Sequence, residues 1–245
     1  TPEMLYACTD AFYRPQNMAL AVAGNVTMAQ VLQAVERANI PEKEGNVERL
    51  PVCEPLQVAK PRMEFSMPVS KPLLGLGFKE VVPAPKEQLK TEFLCEMLTE
   101  LICGSMTPLY RKLYDENLVS PGFSGETLSV PGALCIMFGG ETGRPEYVRE
   151  LLLKEIERLR TEGIEEELFT LCKNQLYGEL IADLENIDDV ATGLFSTFSR
   201  GRTPAEEIET LAAISLDDIN GALKAMLCEE CSSTVIIHPV GEKKE

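Results

Sequence analysis

The stretch "FYRPQNMALAVAG", residues 12–24, decides the fold that we predict for this chain. A helix ends near Tyr13, because Pro15 lacks a backbone N–H and stops the helix from continuing. Met18–Ala23 is a short apolar run that ends at Gly24, a pattern typical of a buried strand. The stretch therefore predicts a helix followed by a strand. Barely a dozen residues precede the stretch, so the predicted helix and strand have almost no earlier part of the chain to pack against.

A second helix follows this strand. Thr27 and Gln30 have the spacing of a capping box, which predicts a helix over Met28–Asn39. We interpret residues 1–40 as the closing helix, strand and helix of one repeat. Residues 41–60 are rich in proline and charge and have no sustained periodicity, so we expect a linker there.

The segment from 61 to 240 alternates between strand and helix patterns, and the tail 241–245 is charged. The predicted strands are Arg62–Met67, Lys71–Val82, a hairpin over residues 122–130 and 132–141, and Thr234–His238. The predicted helices are Lys86–Cys103, Thr107–Asp115, Glu146–Arg160, Glu165–Asp183, Asp188–Ser199, one capped at Thr203 and one from Ser215 through Leu227. This order predicts an α+β fold, in which an antiparallel-rich sheet packs against helices.

The two ends of the chain share a pattern. When Thr1 is placed on Ser215, an offset of 214 positions, helix cap falls on helix cap and strand on strand. Val22 then falls on Ile236, and most other pairs match in character rather than identity. Coincidence is the alternative, since a helix followed by a strand is a common unit. If the repeat is real, residues 61–240 are a complete second copy, and most of a first copy belongs in a missing stretch of the parent polypeptide or was lost by truncation.

Two segments resemble a known family. "FYRPQNMALAVAGNV" is similar to the end of the first domain of zinc peptidases of the insulinase and pitrilysin type. "SMTPLYRKLYDENLVSPGFSGE", residues 105–126, resembles the second-domain segment of bacterial processing-peptidase-like members. The resemblance implies an α/β roll in each repeat and a chamber that encloses peptides.

The resemblance also implies a zinc ion that this chain does not hold. Enzymes of the family bind zinc through the motif H-x-x-E-H, and the glutamate deprotonates the attacking water. This sequence has one histidine, His238, which we interpret as a plain strand-end residue. We therefore predict no cofactor and no catalytic residue in this chain, expect zinc in the missing N-terminal domain, and expect the chain alone to hydrolyse no peptide.

Three residues are candidates for contact with substrate. In many relatives the second-domain segment supplies an arginine and a tyrosine that hold the peptide near the scissile bond. Arg111 lies earlier than the expected arginine, Tyr114 follows Leu113, and Ser120 stands where the tyrosine is expected. The resemblance thus implies Arg111, Tyr114 and Ser120 as substrate-binding residues, against an alternative in which Arg111 is simply solvated.

The overall charge limits the classes of partner. A formal net charge of −16 with no long basic run repels phosphate backbones, so we exclude nucleic acid. No run of about 18 apolar residues is present, so we expect no membrane span. The eight cysteines are mostly embedded in apolar stretches, which favours reduced thiols and a cytoplasmic location.

Other motifs favour structural interpretations. Cys228 and Cys231 have C-x-x-C spacing, but no second such pair accompanies them, and we interpret the pair as incidental. The acidic runs 165–167 and 188–189 begin helices, where negative charge is favourable. No glycine-rich stretch is followed by the lysine and helix of a nucleotide site.

Two functions remain open. The first is the zinc-free portion of a metallopeptidase, which forms a chamber wall and contacts extended peptide by strand addition. Its partners are a peptide and an N-terminal catalytic half or homologous subunit, with a dimer as one arrangement. The alternative is a noncatalytic scaffold or peptide-binding subunit. A small-molecule enzyme using the carboxylates has no motif in its favour.

Overall fold

The computed structural model describes residues 1–40, 47, 48, 50, 52 and 54–241. The chain divides into two compact units, one made of residues 1–50 and 177–209 and the other of residues 51–176 and 210–245. Much of the predicted linker and nearly all of the predicted tail lie outside the described residues. The division into two repeats and a linker stays a prediction.

The larger unit contains a mixed five-stranded sheet. The strands are β1 (Arg62–Met67), β2 (Leu73–Glu80), β3 (Ser124–Val130), β4 (Ala133–Glu141) and β5 (Ser232–Pro239). Their order across the sheet is β1-β5-β2-β4-β3. β1 runs parallel to β5, and the other neighbouring pairs are antiparallel. The last strand of the chain is therefore inserted between the first two.

Helices complete both units. The bounds are α1 (Pro2–Phe12), α2 (Met28–Ala38), α3 (Gln88–Cys103), α4 (Pro108–Asp115), α5 (Pro145–Glu162), α6 (Glu166–Ala182), α7 (Ile187–Ser199), α8 (Pro204–Ala213) and α9 (Leu216–Ala225). The predicted capping boxes are present at Thr27 with Gln30 and at Ser215 with Asp218. Among the described residues, no helix is long and apolar enough to cross a membrane.

The hydrophobic core lies on one face of the sheet. Alternate side chains of β2 and β4 point to this face, where Leu76, Phe78 and Phe138 are fully buried. Phe78 and Phe138 meet edge to face with ring centroids 6.5 Å apart. Helices α3, α5 and α9 pack against one another beside the sheet. Gly125 allows α3 to approach β3, because a Cβ there would lie 2.5 Å from Thr99 Cβ.

The end of α9 is held by two charged side chains. The Arg160 guanidinium donates to the carbonyls of Met226 and Leu227 at 2.6 and 2.9 Å. Leu227 has a left-handed backbone (φ 60°), and its N–H donates to Glu80 Oε1 at 2.7 Å. Burial raises the pKa of the Glu80 carboxyl. These contacts fix the chain where it leaves α9 for β5.

The first 40 residues differ from the sequence prediction in one element. Both helices form, but Met18–Ala23 is not a strand in this structure. A strand needs a neighbour to satisfy its backbone groups, and the described residues supply none for this segment. None of residues 1–40 is buried, although many are large and apolar.

Candidate functional site

Helix α4 positions the candidate residues. Its N-terminus is capped by Thr107, whose hydroxyl accepts from the Tyr110 N–H at 3.2 Å. Leu109 and Leu113 are buried on one face, so the other positions of this short helix face outward. The helix ends at Asp115, and two residues later Asn117 has a left-handed conformation (φ 54°), which turns the chain toward Ser120.

Tyr114 and Ser120 line one cleft of about 250 Å³. Its other lining residues include Lys71, Asn117, Glu141 and Thr142. Lys71 precedes β2 and Glu141 ends β4, so residues far apart in sequence meet beside α4. The cleft offers an aromatic face, a hydroxyl, a carboxylate and an amine.

Two hydrogen bonds to Glu141 hold Ser120 in place beside this cleft. Its N–H donates to the Glu141 carbonyl at 3.0 Å, and its hydroxyl donates to Glu141 Oε2 at 3.0 Å. Val119 and Thr142 form an antiparallel bridge next to this contact. Lys71 is exposed and makes no ion pair with any residue that the structure describes. The cleft therefore has one fixed acidic group and one free cation.

The third candidate, Arg111, does not line the cleft. Its side chain is 84% exposed and lies 3.8 Å from the Asp115 carboxylate one turn along α4. Tyr114 is 50% exposed and stacks on Tyr110 with ring centroids 6.3 Å apart. The Tyr110 hydroxyl in turn donates to the Pro121 carbonyl at 3.3 Å. The structure thus brings Tyr114 and Ser120 together and leaves Arg111 apart from them.

Lys71 and Glu141 are absent from the sequence-based candidates. Neither belongs to the two segments that are most similar to the peptidase family, and the pairing of β2 with β4 brings the two residues together beside α4. The signal that was available is positional, since Lys71 begins one predicted strand and Glu141 ends the predicted hairpin.

The described residues do not fit a catalytic zinc ion. In the described part of the chain, no three His, Cys, Asp or Glu side chains are grouped so that they could hold a metal. His238 Nε2 is buried and lies 3.3 Å from Glu64 Oε2, without the geometry of a hydrogen bond. Glu64 also pairs with Arg62 at 2.9 Å. No step of chemistry is therefore assigned to a metal in this chain.

Comparison with known proteins decides the family. A family model described as the peptidase M16 inactive domain matches residues 1–176. The chain belongs to the M16 peptidase family. The predicted resemblance is confirmed, and because the matched model is that of the inactive domain, the chain corresponds to a non-catalytic portion of an M16 peptidase.

Individual relatives agree with this M16 assignment. A Bacillus subtilis (strain 168) protein described as an uncharacterized zinc protease, YmfH, is 26% identical over 91% of this chain and 53% of its own length. The solved structure of an M16-like peptidase from Alicyclobacillus acidocaldarius has a TM-score of 0.87 at 27% identity, covering 98% of this chain and 58% of that one. The predicted α+β fold is confirmed by this likeness.

A third comparison concerns the fold alone. The solved inactive peptidase domain of a zinc protease from Bordetella parapertussis has a TM-score of 0.59 at 15% identity, covering 74% of this chain and 97% of that domain. The chain spans only a little over half the length of YmfH and of the Alicyclobacillus peptidase. The relatives therefore contain a further segment of considerable size that is not matched here.

Proposed function

We propose that this M16 chain forms one wall of a peptide-holding chamber and works with a zinc-binding repeat of the same fold, which carries out the hydrolysis. The observation that supports the proposal is the state of residues 1–40. Their helices form, their apolar side chains stay exposed, and the segment 18–25 has no strand beside it among the described residues. A homologous repeat would supply both the missing core and the missing strand.

The exposed apolar side chains are numerous enough to need a partner. Single exposed apolar residues are ordinary, whereas many of them within one short segment point to an interaction surface. The large exposed members are Met4, Leu5, Tyr6, Phe12, Tyr13, Met18, Leu20, Val22, Val26, Met28, Leu32, Val35 and Ile40. The unmatched part of YmfH and of the Alicyclobacillus peptidase is long enough to contain a repeat that covers them.

We further propose that peptide substrate contacts the cleft beside α4. Tyr114 offers a flat apolar face, the Ser120 and Glu141 pair offers hydrogen bonds, and Lys71 offers a free cation. Ser120 lies four residues before β3, an edge strand of the sheet, and the Phe123 N–H donates to the Ser120 carbonyl in the turn between them. An extended peptide that leaves the cleft can add to this edge as a further strand.

The first experiment compares this chain with a protein extended upstream by one homologous repeat. Zinc content is measured by atomic emission, and cleavage is measured with a quenched peptide library. We expect stoichiometric zinc and cleavage only in the extended protein. A chelator should abolish its activity and leave its binding of peptide intact. An extended protein that binds no zinc and cleaves nothing contradicts the peptidase role.

That same experiment decides the alternative function. A noncatalytic scaffold or peptide-binding subunit would hold peptide without zinc and without cleavage. Fluorescence anisotropy with a labelled peptide from the library reports this binding directly, and the scaffold is the better account if anisotropy rises while zinc stays absent.

The role of the cleft has its own test. In the extended protein, Tyr114→Ala and Ser120→Ala should each lower kcat/KM by about 5- to 10-fold, the size expected for one contact of moderate strength. Arg111→Ala, outside the cleft, should lower it by about 2-fold at most, since a solvated charge contributes little. Lys112→Ala on the same helix is the matched control. Equal effects at all four positions would argue against the cleft.

A further inference from the structure

The turn between α9 and β5 brings two cysteines together. Residues 229–231 form a single 3-10 turn, and the Cys231 N–H donates to the Cys228 carbonyl at 3.0 Å. Such a closed turn holds the Cα atoms of its first and fourth residues within about 7 Å. This separation is within the range that a disulfide bridges without moving the backbone.

The turn is anchored on both sides by the core. Directly before it, Leu227 is buried and is held by Arg160 and Glu80. Directly after it, Ser232 begins the interior strand β5 and donates through its hydroxyl to the Glu229 carbonyl at 2.8 Å. The two cysteines themselves are half-exposed. A small reagent can therefore reach a pair of thiols whose backbone is already fixed.

The acidic surroundings disfavour a metal at this pair. The Cys228 thiol donates to Glu230 Oε2 at 2.8 Å, and this contact raises the pKa of Cys228. A metal needs thiolates, which these carboxylates oppose, and in the described residues no third ligand completes a site. A disulfide carries no charge, so the same surroundings do not oppose it.

We propose that Cys228 and Cys231 form a reversible disulfide by exchange with a low-molecular-weight disulfide. The Cys231 thiolate attacks one sulfur of the reagent and releases the first small thiol. The Cys228 sulfur then attacks the Cys231 side of the mixed disulfide, closes the ring and releases the second small thiol. The two cysteine protons end on the two released thiols, Cys228 passing its proton through Glu230. The protein loses two hydrogens, and the reagent is reduced.

The other described cysteines provide contrasts within the same molecule. Cys95 and Cys103 are buried, and burial raises the pKa of each thiol to about 12. Cys8 is exposed in α1 and is the one cysteine in residues 1–50 and 177–209. Cys8 can form a mixed disulfide with the reagent, but it has no partner in its unit to close a ring.

The test exposes the folded chain to oxidised glutathione, then blocks the remaining thiols with an alkylating reagent and maps peptides by mass spectrometry. We expect the peptide that contains Cys228 and Cys231 to lose two hydrogens and to carry neither label, while Cys8 carries glutathione. Dithiothreitol should restore both thiols. In Cys228→Ser, the remaining Cys231 should carry glutathione as Cys8 does.

Two outcomes would overturn the proposal. One is that both cysteines stay open to alkylation at a glutathione concentration that has already modified Cys8. The other is that Cys228 and Cys231 each carry glutathione in the unmodified sequence and never pair. Modification of Cys8 shows in every sample that the reagent is reactive. If Cys228 and Cys231 stay reduced in such a sample, the cause is the cysteine pair and not the reagent.

Discussion

Two parts of this molecule have the same sequence pattern and different surroundings. Helix α1 with the segment 18–25 corresponds, at an offset of 214 positions, to helix α9 with strand β5. Both helices are present in the structure. β5 lies between β1 and β2 in the sheet, whereas the segment 18–25 has no strand beside it in the described part of the chain.

The comparison separates helix formation, which is local, from strand formation and side-chain burial, which need a neighbouring segment. A helix satisfies its backbone within itself, so α1 forms although Leu5 is 71% exposed. The residue that corresponds to Leu5 in α9, Ile219, is 0% exposed. A strand satisfies its backbone through neighbours, so only β5 becomes a strand. Val22 is 43% exposed and its counterpart Ile236 is 1% exposed, which makes the two positions a matched pair.

The largest expected effect is on stability at this matched pair. Ile236→Ala should destabilise the chain by about 2–5 kcal/mol, because it leaves a cavity in the core. Val22→Ala removes exposed atoms and should change the unfolding free energy by less than about 0.5 kcal/mol. Urea denaturation followed by circular dichroism measures both. A similar loss at Val22 would mean that residues 1–40 already have a core of their own.

The next effect concerns the backbone of the segment 18–25. In a protein extended upstream by one repeat, amide hydrogens of this segment should exchange about 100-fold more slowly than in the chain alone, because they would pair with a neighbouring strand. The amides of β5 should be protected equally in both proteins. Hydrogen exchange with mass spectrometry compares the two segments in the same samples. Unchanged exchange at 18–25 contradicts a strand-supplying partner.

The sequence was sufficient for elements whose signals are local. The strand over Arg62–Met67 was predicted at its observed bounds, and the capping boxes at Thr27 and Ser215 are present. Helices α3 to α9 lie within a few residues of their predicted bounds. Periodicity, caps and prolines act within one turn or two, so a single sequence contains them.

The prediction failed where the outcome depends on distant residues. The apolar run at Met18–Ala23 has the pattern of a strand, but pattern does not supply a neighbour. The cleft shows the same limit, since Tyr114 and Ser120 lie in one segment while Lys71 and Glu141 reach them through sheet pairing. The insertion of β5 between β1 and β2 also leaves no local signal.

A smaller effect distinguishes the N-terminus of α9 from that of α1, because only the cap of α9 should make the stability of the chain depend on acidic pH. The Lys90 ammonium, with help from Ser215, lowers the pKa of Asp218 from 3.8 to about 2. A lowered carboxyl pKa stabilises the fold fully above pH 3.8, and the contribution is lost as pH falls toward 2. Because the pair is partly exposed, we expect about 1 kcal/mol.

Asp218→Asn tests this assignment. At neutral pH the variant should unfold at lower urea concentration than the unmodified chain, and the difference should shrink as the pH falls from 4 toward 2. Thr1, at the start of α1, makes no side-chain cap, and Met4 stands where α9 has Asp218. A difference that stays constant across this pH range would show that the Asp218 charge does not stabilise α9.

The smallest effect lies at one helical position shared by the two regions. Gly221 in α9 corresponds to Ala7 in α1, and a Cβ added at Gly221 would meet no atom within 4 Å. Gly221→Ala should therefore stabilise the chain by about 0.4–1 kcal/mol, since alanine has less freedom to lose in a helix. Because α9 packs into the core, this gain should appear in the global urea midpoint.

Ala7→Gly should weaken α1 by a similar amount without moving that midpoint, because no residue of α1 is buried. If Ala7→Gly lowers the global midpoint as much as Gly221→Ala raises it, then α1 unfolds together with the core. In that case the two regions differ in how exposed their side chains are, but they unfold in the same cooperative transition.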